Sequence, residues 1–329
     1  MRRDGQSRGR TLRAGLDAHR LLGCAAARRS GRSGQSTAPR GAAPAAPNAA
    51  GPFTLPERDR ATIAYFYDVS NDFYASWLDQ NLTYSCAYFK REDDTLDQAQ
   101  LQKYDLICRK LRLTAADRLL DVGCGWGGLV RFAAREYGAR AVGMTLSASQ
   151  AEEGRRRVDA EGLSRLCTIE LEDYRDIEKL GTFDKAARFG MVEHVGDSML
   201  TPYFQSVFTA LKSGGLFLNQ GIVTHTPPVA ALQKVAGRFF PSRSRFIEKY
   251  VFPDGELPRL AAMSEVALSA GFEVRDVENL REHYAKTLRH WVRRLENAQA
   301  RARALVGDVP YNVWRFTWPA PRTGSRLAA

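Results

Sequence analysis

A glycine-rich segment between two different hydrophobic patterns constrains the fold more than any other feature of this chain. Residues 118–122 form a short apolar run, residues 123–128 read GCGWGG, and apolar side chains then recur at helical spacing over 129–137. Glycines allow a tight turn and let a ligand approach the backbone at the end of a strand. The segment therefore predicts a strand, a ligand-binding loop and a helix in succession.

Apolar segments continue to alternate between the two periodicities along the chain. Strands are predicted at 118–122, 139–145, 167–171, 183–189, 215–223 and 272–277, and helices at 95–112, 129–137, 147–161, 200–211, 260–270 and 283–297. Alternating strands and helices place a parallel sheet between two helical layers. We therefore predict an α/β fold with a doubly wound, mostly parallel sheet.

The 329 residues divide unevenly in composition and charge. Residues 1–52 hold 10 Arg, no Lys and 2 Asp, so this segment carries +8 of the formal charge of +11. We predict a disordered, basic Ala/Gly/Pro/Arg-rich tail over 1–53 and a folded domain over 54–310. The tail resembles an organellar transit peptide loosely, and unselected N-terminal sequence is the alternative. Without interleaved aromatic residues it does not indicate a nucleic-acid partner.

The cysteines and the apolar segments exclude further classes of protein. Five cysteines are widely spaced and form no C-x-x-C pair, which argues against a disulfide framework or a metal site and for a reducing compartment. No apolar stretch approaches the roughly 20 residues that span a bilayer. The segment 224–258 is rich in proline, and a long irregular insertion after a strand predicts a lid.

The acidic residues near the glycine loop narrow the class of ligand. A dinucleotide site expects Asp or Glu about 20 residues after the loop, and residues 142–150 contain none. Asp121 instead stands directly before the glycines. This arrangement resembles the Asp-x-Gly-x-Gly-x-Gly motif of S-adenosylmethionine-dependent methyltransferases.

Several further motifs occur in one order along the chain. They are YFYDVSNDFYASWLDQNLTYSCAYF (65–89), DVGCGWGG (121–128), GMTLSASQ (143–150), DYRD (173–176), GMVEHVG (190–196), FPDGELP (252–258) and HYAKTL (283–288). Over about 60–300 the chain resembles the cyclopropane-fatty-acyl-phospholipid synthase family, which includes the mycolic acid cyclopropane synthases. The resemblance implies a Rossmann-like class I methyltransferase fold with a helical N-terminal cap and a lid insertion.

The same resemblance implies the reaction. Such enzymes transfer the methyl group of S-adenosylmethionine to a cis double bond of a phospholipid-bound acyl chain and close a cyclopropane ring. An alkene is a neutral nucleophile, so the site must align it in a dry pocket and stabilise the resulting positive charge, for which aromatic faces are suited. A methyl branch or a methylated alkene is the alternative product, and a family member that binds without turnover is a further alternative.

In the family a bound bicarbonate ion accepts the proton that leaves the methyl group. The resemblance assigns its contacts, and hence the catalytic set, to Cys86, Glu193, Gln220, Ile222 and Tyr284, with Ile222 contributing its backbone. Gln220 is a departure, because the family usually has histidine there. Glutamine can donate a hydrogen bond but cannot carry a proton, so we expect weaker anion affinity or diversion from ring closure. His194, beside Glu193, is interpreted as structural.

The cofactor contacts also follow from the resemblance. They are Tyr84 and Ser85 near the methionine end, Asp121, Gly123 and Gly125 along the loop, Thr145, Leu146 and Gln150 at the ribose, and Asp173 and Tyr174 near the adenine. Thr145 and Gln150 could equally cap the helix that follows Ser147.

The lipid substrate implies contact with a membrane surface. The predicted lid mixes basic and aromatic residues suited to anionic head groups, namely Lys234, Arg238, Phe239, Phe240, Arg243, Arg245, Phe246 and Lys249. We expect a cytoplasmic protein, peripheral at the inner membrane surface, and leave a homodimer open. A solvated charged face is the alternative interpretation of these side chains.

The C-terminal residues depart from the family pattern. Residues 311–329 form an atypical tail in which Pro319 and Pro321 oppose the helix and last strand found in the family. The last strand of the sheet is therefore expected to be missing.

Overall fold

The computed structural model describes residues 70–189, 196–223 and 257–317, with the backbone alone at 196–198. The predicted tail over 1–53, Glu193 and His194, all but the last two residues of the predicted lid, and residues 318–329 lie outside this part of the chain. This part contains five strands, nine α-helices and one 3-10 helix, which follows the third strand. Helical segments separate consecutive strands, two helices precede the first strand, and four follow the fifth.

The strands form one parallel sheet in the order β3-β2-β1-β4-β5. Their bounds are β1 Arg118–Val122, β2 Arg140–Thr145, β3 Cys167–Leu171, β4 Phe183–Phe189 and β5 Leu211–Gln220. Reversal of the strand order beside β1 places a crevice at the carboxyl ends of β1 and β4, where open α/β sheets bind ligands. The predicted α/β class with a parallel sheet is confirmed.

Six of the nine α-helices in the described residues lie close to segments where periodicity predicts a helix, and no helical segment was predicted for the first helix or the last two. The helices are α1 Asn71–Ala75, α2 Leu96–Lys110, α3 Gly128–Tyr137, α4 Ala148–Ala160, α5 Gly196–Ala210, α6 Leu260–Ser269, α7 Arg281–Asn297, α8 Gln299–Val306 and α9 Asp308–Thr317, and the 3-10 helix is Tyr174–Leu180. Local chemistry fixes several ends. Thr95 and Gln98 form a capping box at the start of α2, and Gly138 ends α3 with φ +65°.

Apolar side chains fill both sides of the sheet. One core packs β1, β4 and β5 against α5, α6 and the 3-10 helix, with Phe204 and Phe217 fully buried. The other packs the sheet against α2, α3 and α4, with Leu119 and Val130 fully buried. Coverage of both faces is typical of a parallel sheet.

A third cluster of apolar side chains lies beyond the sheet and is here called the aromatic cluster. It joins α1 and the segment 77–89 to α7, α8 and α9, and its rings are Phe73, Tyr74, Trp77, Tyr84, Phe89, Trp126, Tyr284, Trp291, Tyr311 and Trp314. Most neighbouring rings meet tilted or edge to face at 5.1–6.3 Å, and Tyr84 stacks on Trp291. The aromatic residues of the YSCAYF segment therefore pack against helices from the opposite end of the chain.

Three sequence expectations differ from the structure. Residues 272–277 form no strand among the described elements. Phe272 is buried, but Val277 at the other end of this segment is 58% exposed. Strand β5 begins at Leu211 and contains a register irregularity before Leu216 rather than starting at 215. The expected atypical tail continues as helix α9 to Thr317, where Tyr311 and Trp314 are buried in the aromatic cluster.

Candidate functional site

A cavity lies at the carboxyl ends of β1, β2 and β4, beside the glycine loop. Six segments line it: residues 81–85, Tyr104 of α2, the glycine loop with the start of α3, residues 144–150, Glu172 and Tyr174 after β3, and the end of β4. Among the predicted cofactor residues, those that line it are Tyr84, Ser85, Gly123, Gly125, Thr145, Leu146, Gln150 and Tyr174. Eight residues from distant parts of the sequence are thus brought to one cavity.

The glycine loop leaves its side of the cavity clear. Gly123 and Gly125 have φ +79° and +55°, and a Cβ added at either would meet no atom within 4 Å. Gly128 serves packing instead, because a Cβ there would clash with the hydroxyl of Tyr104. The backbone at Gly123 and Gly125 can therefore be approached closely by a ligand, as a nucleoside cofactor requires.

Asp121 lies behind the loop at the end of β1. Its side chain is fully buried, and neither carboxylate oxygen has a hydrogen-bond partner among the described residues. Burial raises the pKa of this carboxyl to about 7, and the positive charges of Lys103 and Arg188 oppose the rise. Asp121 is thus a buried acid with unused acceptors next to the predicted cofactor loop.

The ribose-side residues are arranged by helix α4. Ser147 caps this helix by accepting a hydrogen bond from the backbone of Gln150 at 3.2 Å, so capping does not occupy the side chains of Thr145 and Gln150. Thr145 Oγ1 donates to Gln150 Oε1 at 2.7 Å. The two side chains form a polar pair on the cavity wall.

The adenine-side residues divide between wall and interior. Tyr174 lines the cavity together with Glu172, a residue that the sequence reasoning missed. Asp173 lies between them, is 2% exposed and does not line the cavity. Its carboxylate caps the 3-10 helix by accepting from the backbone of Arg175 and pairs with that arginine's guanidinium at 2.9 Å.

Lys103 is a further residue of the site that sequence reasoning missed. It is 1% exposed, and its Nζ donates to Ser85 Oγ at 2.8 Å. Gln100, one turn earlier, donates to the backbone carbonyls of Ser85 and Thr83 at 2.9 and 3.3 Å. Burial lowers the pKa of Lys103 to about 8, against the attraction of Asp79, Cys86 and Asp121. The helical periodicity of 95–112 could have shown that Lys103 lies on the buried face of α2.

The structure brings two of the predicted catalytic residues together. Cys86 Sγ lies 3.9 Å from the carbonyl oxygen of Leu280, and the backbone N–H of Tyr284 donates to the same oxygen at 2.8 Å. The neighbouring backbone N–H of Ala87 donates to Thr287 Oγ1 at 3.0 Å. Residues nearly 200 positions apart in sequence therefore meet at the amino end of α7.

The other predicted catalytic residues are Gln220, Ile222 and Glu193. Gln220 ends β5 and Ile222 follows it, both half-buried at the carboxyl edge of the sheet. Among the described residues no recorded hydrogen bond joins either of them to Cys86 or Tyr284. Glu193 lies outside the described residues.

The thiol of Cys86 is a neutral group. Burial raises its pKa to about 12, so the sulfur is protonated at neutral pH and its S–H donates to the carbonyl oxygen of Ala87 at 3.3 Å. A protonated thiol is a weak hydrogen-bond donor and a poor nucleophile. This residue is therefore suited to contacting an anion rather than to forming a covalent intermediate.

Aromatic side chains connect the two halves of the site. Trp291 stacks on Tyr84 at 5.1 Å and meets Tyr284 edge to face at 6.3 Å. Trp126, from the glycine loop, packs on Tyr74 and donates from Nε1 to Asn71 Oδ1 at 2.7 Å. The surroundings of the predicted catalytic residues are thus largely apolar and rich in π faces.

The parallel sheet, the glycine loop and the cavity at its carboxyl edge define a class I S-adenosylmethionine-dependent methyltransferase fold. The family model described as mycolic acid cyclopropane synthetase matches residues 55–320. The chain belongs to this family of S-adenosylmethionine-dependent methyltransferases.

Individual proteins agree with this assignment. A probable fatty acid methyltransferase from Pseudomonas putida is 52% identical over 78% of this chain and 64% of its own length. Cyclopropane mycolic acid synthase 1 of Mycobacterium tuberculosis is 34% identical over 76% of this chain and 87% of its own. The crystal structure of mycolic acid cyclopropane synthase CmaA1 complexed with SAH and CTAB aligns with TM-score 0.71 and 33% identity, over 78% of this chain and 90% of that one. The chain spans less than two thirds of the length of the Pseudomonas relative.

Every helix in residues 70–189, 196–223 and 257–317 is too short or too polar to cross a bilayer. In the same ranges no three His, Cys, Asp or Glu side chains are grouped closely enough to hold a metal ion.

Proposed function

We propose that this chain transfers a methyl group from S-adenosylmethionine to a cis double bond of an unsaturated, phospholipid-bound acyl chain. The observation that carries the proposal is the cavity that joins the glycine loop, the Thr145–Gln150 pair and the YSCAYF segment. S-adenosylmethionine supplies an electrophilic sulfonium methyl group when bound. Gly123 and Gly125 leave room for its backbone contacts, Thr145 and Gln150 offer polar groups for its ribose, and Tyr174 offers a ring for its adenine.

The protein's own contribution to methyl transfer is a dry, aligned setting. No general base is needed for attack by an alkene, and charged nucleophiles near the acyl chain would compete with it. Around Tyr84 and Tyr284 the recorded neighbours are aromatic, with Trp291 between them. Such π faces stabilise positive charge on the acyl chain while excluding water. The CmaA1 structure binds CTAB, a long-chain alkyl ammonium compound, which supports an alkyl-binding path in a related fold.

Closure of the ring requires removal of a proton, for which we propose a bound bicarbonate ion. Cys86 and Tyr284 lie at the amino end of α7, where Asn279 Oδ1 accepts from the backbone N–H of Arg281 at 3.0 Å and Leu280 makes no side-chain capping bond. The positive end of a helix favours an anion at this position. The protonated Cys86 thiol contributes a donor, and Glu193, Gln220 and Ile222 complete the proposed set.

Formation of a methyl branch or a methylated alkene is the second candidate function. Two observations favour it: Gln220 replaces the histidine that the family usually has, and the Pseudomonas relative is described as a probable fatty acid methyltransferase. A glutamine amide cannot store a proton or a positive charge beside the anion. Peripheral attachment to the inner membrane surface through 224–258 is the part of the proposal that follows from the lipid substrate, and a homodimer is left open.

Mass analysis of lipids from a bacterial host that expresses the chain tests the proposal. Addition of a methylene group raises the acyl mass by about 14 Da, and mild hydrogenation then distinguishes a ring from a methylated alkene. A variant with Gly125→Ala serves as the control for host enzymes. An unchanged lipid profile from well-expressed, folded protein would contradict the proposed activity.

A further inference from the structure

Arg188 is a charged residue that is buried near the carboxyl edge of the sheet. It lies on β4, is 3% exposed and lines the cavity beside Phe189. Neither Nε nor Nη1 of its guanidinium has a hydrogen-bond acceptor among the described residues. A buried guanidinium without hydrogen-bonded partners is costly, and such a group is usually matched by an anion.

The recorded neighbours of Arg188 do not supply that anion by direct contact. Its guanidinium lies over the ring of Tyr203 with the central carbon 4.9 Å from the ring centroid. Asp121 is close enough for its charge to interact with Arg188, but both oxygens of that carboxylate also lack hydrogen-bond partners within the described ranges. Arg188 therefore faces the cavity with unused donors, whereas Asp121, which does not line the cavity, lies behind the loop.

Asn219 adds a second polar group at the same edge. It stands opposite Arg188 in the parallel register of β4 and β5, so the two side chains extend from the same face of the sheet. Asn219 is 1% exposed, and in the described part of the chain neither Oδ1 nor Nδ2 has a partner. An arginine and an amide side by side offer several N–H donors to one planar oxyanion.

We propose that Arg188, supported by Asn219, forms a carboxylate-binding subsite of the cavity. Its ligand is a singly charged planar oxyanion, either the α-carboxylate at the amino-acid end of S-adenosylmethionine or bicarbonate. A more highly charged anion such as phosphate would meet the carboxylate of Glu172 as well as one guanidinium on the cavity wall.

The position of Arg188 in the cavity favours the cofactor carboxylate. Arg188 lines the same cavity as Tyr84 and Ser85, the residues expected near the methionine end of the cofactor. This inference rests on the proposed function in one respect, namely that the cofactor enters this cavity. None of the sequence motifs assigned a role to Arg188.

Binding measurements that need no turnover test the subsite. We would titrate S-adenosylhomocysteine and its decarboxylated analogue into the wild-type chain, Arg188→Met and Arg188→Lys. Arg140→Met is the matched control, because Arg140 is exposed at the opposite end of the sheet. We expect Arg188→Met to weaken S-adenosylhomocysteine at least about tenfold, as loss of a charged hydrogen bond does. Arg188→Met should bind the decarboxylated analogue as the wild type does. Arg188→Lys should retain part of the difference in affinity between S-adenosylhomocysteine and that analogue.

A bicarbonate titration of the S-adenosylhomocysteine complex distinguishes the two sources. Loss of bicarbonate binding in Arg188→Met, with S-adenosylhomocysteine affinity intact, would assign the subsite to bicarbonate. If Arg188→Met does not fold, the affinities of the wild type and Arg188→Lys for S-adenosylhomocysteine and its decarboxylated analogue still show whether the carboxylate is bound.

Two results would overturn the inference. The first is equal affinity of the wild type for both nucleosides together with no bicarbonate binding. The second is a folded Arg188→Met variant with both ligand affinities unchanged, which would mean that the guanidinium pairs with a group of the chain itself. Failure of the wild type to bind either nucleoside would refute the proposed function, and the inference with it.

Discussion

Replacement of Lys103 by methionine should remove a pH-dependent part of the stability of this protein. Methionine has a similar length, so the buried site remains filled while the charge and the bond from Nζ to Ser85 Oγ are lost. In the wild type, burial lowers the pKa of Lys103 from 10.5 to about 8. The lysine is therefore protonated in both the folded and the unfolded chain below pH 8.

The sign and size of the effect follow from proton linkage. Between about pH 8 and pH 10.5 the unfolded chain retains a proton that the folded chain has released, so the free energy of unfolding rises with pH. The interval from 8 to 10.5 corresponds to about 3 kcal/mol at roughly 1.4 kcal/mol per tenfold change in proton affinity. Tyrosines and cysteines that titrate in this interval are common to both proteins and cancel in the difference.

Urea denaturation at several pH values measures this difference. We expect the wild type to gain up to about 3 kcal/mol relative to Lys103→Met between pH 8 and 10.5. Lys212→Met is the control for loss of a surface lysine, because the side chain of Lys212 is 53% exposed. Parallel profiles for the wild type and Lys103→Met would refute the account of Lys103 as a buried cation.

Three further predictions concern the cavity and the catalytic set. Gly125→Ala should weaken S-adenosylhomocysteine binding. Gly162, which follows α4, has a similar φ of +69° and similar open space, so Gly162→Ala should cost about the same 1 kcal/mol of stability and leave binding unchanged. Equal loss of binding in both variants would contradict the role of the loop. Iodoacetamide at pH 8 should modify Cys86 about a thousandfold more slowly in the folded chain than in urea, because a pKa of about 12 rather than 9 leaves that much less thiolate. Similar rates in peptide-resolved mass spectra would show that the thiol is not buried as described. Gln220→His should tighten the dependence of activity on bicarbonate and shift products toward the ring, and unchanged bicarbonate kinetics and products would exclude Gln220 as the cause of any diversion.

The sequence was sufficient for the fold where periodicity and local chemistry agree. Strands at 118–122, 167–171 and 183–189 occur with the predicted bounds, because segments of five to seven residues between turns are too short for a typical helix. The segment 272–277 shows the limit of this reasoning. An alternating pattern predicts which face of a strand would be buried, but a strand also needs a neighbouring strand edge with which to pair.

The site was predictable to a different degree. Ordered motifs led to Tyr84, Gly125, Thr145 and Gln150, all of which line the cavity. Periodicity alone could not reveal that Cys86 meets the start of α7, since that contact depends on how distant segments pack. Lys103 and Arg188 were missed because charged side chains usually lie at the surface, and only the packed structure shows both of them to be buried.

Methyl transfer to a lipid double bond can be measured directly with purified protein, vesicles of cis-unsaturated phospholipid and S-adenosylmethionine carrying a deuterated methyl group. Ring closure removes one deuteron from that group and adds about 16 Da to the acyl chain, whereas loss of a proton from the chain itself leaves a methylated alkene about 17 Da heavier. We predict heavier acyl chains, with the increase of 16 Da marking the cyclopropane. Acyl chains of unchanged mass, from protein that binds S-adenosylhomocysteine, would contradict the assignment.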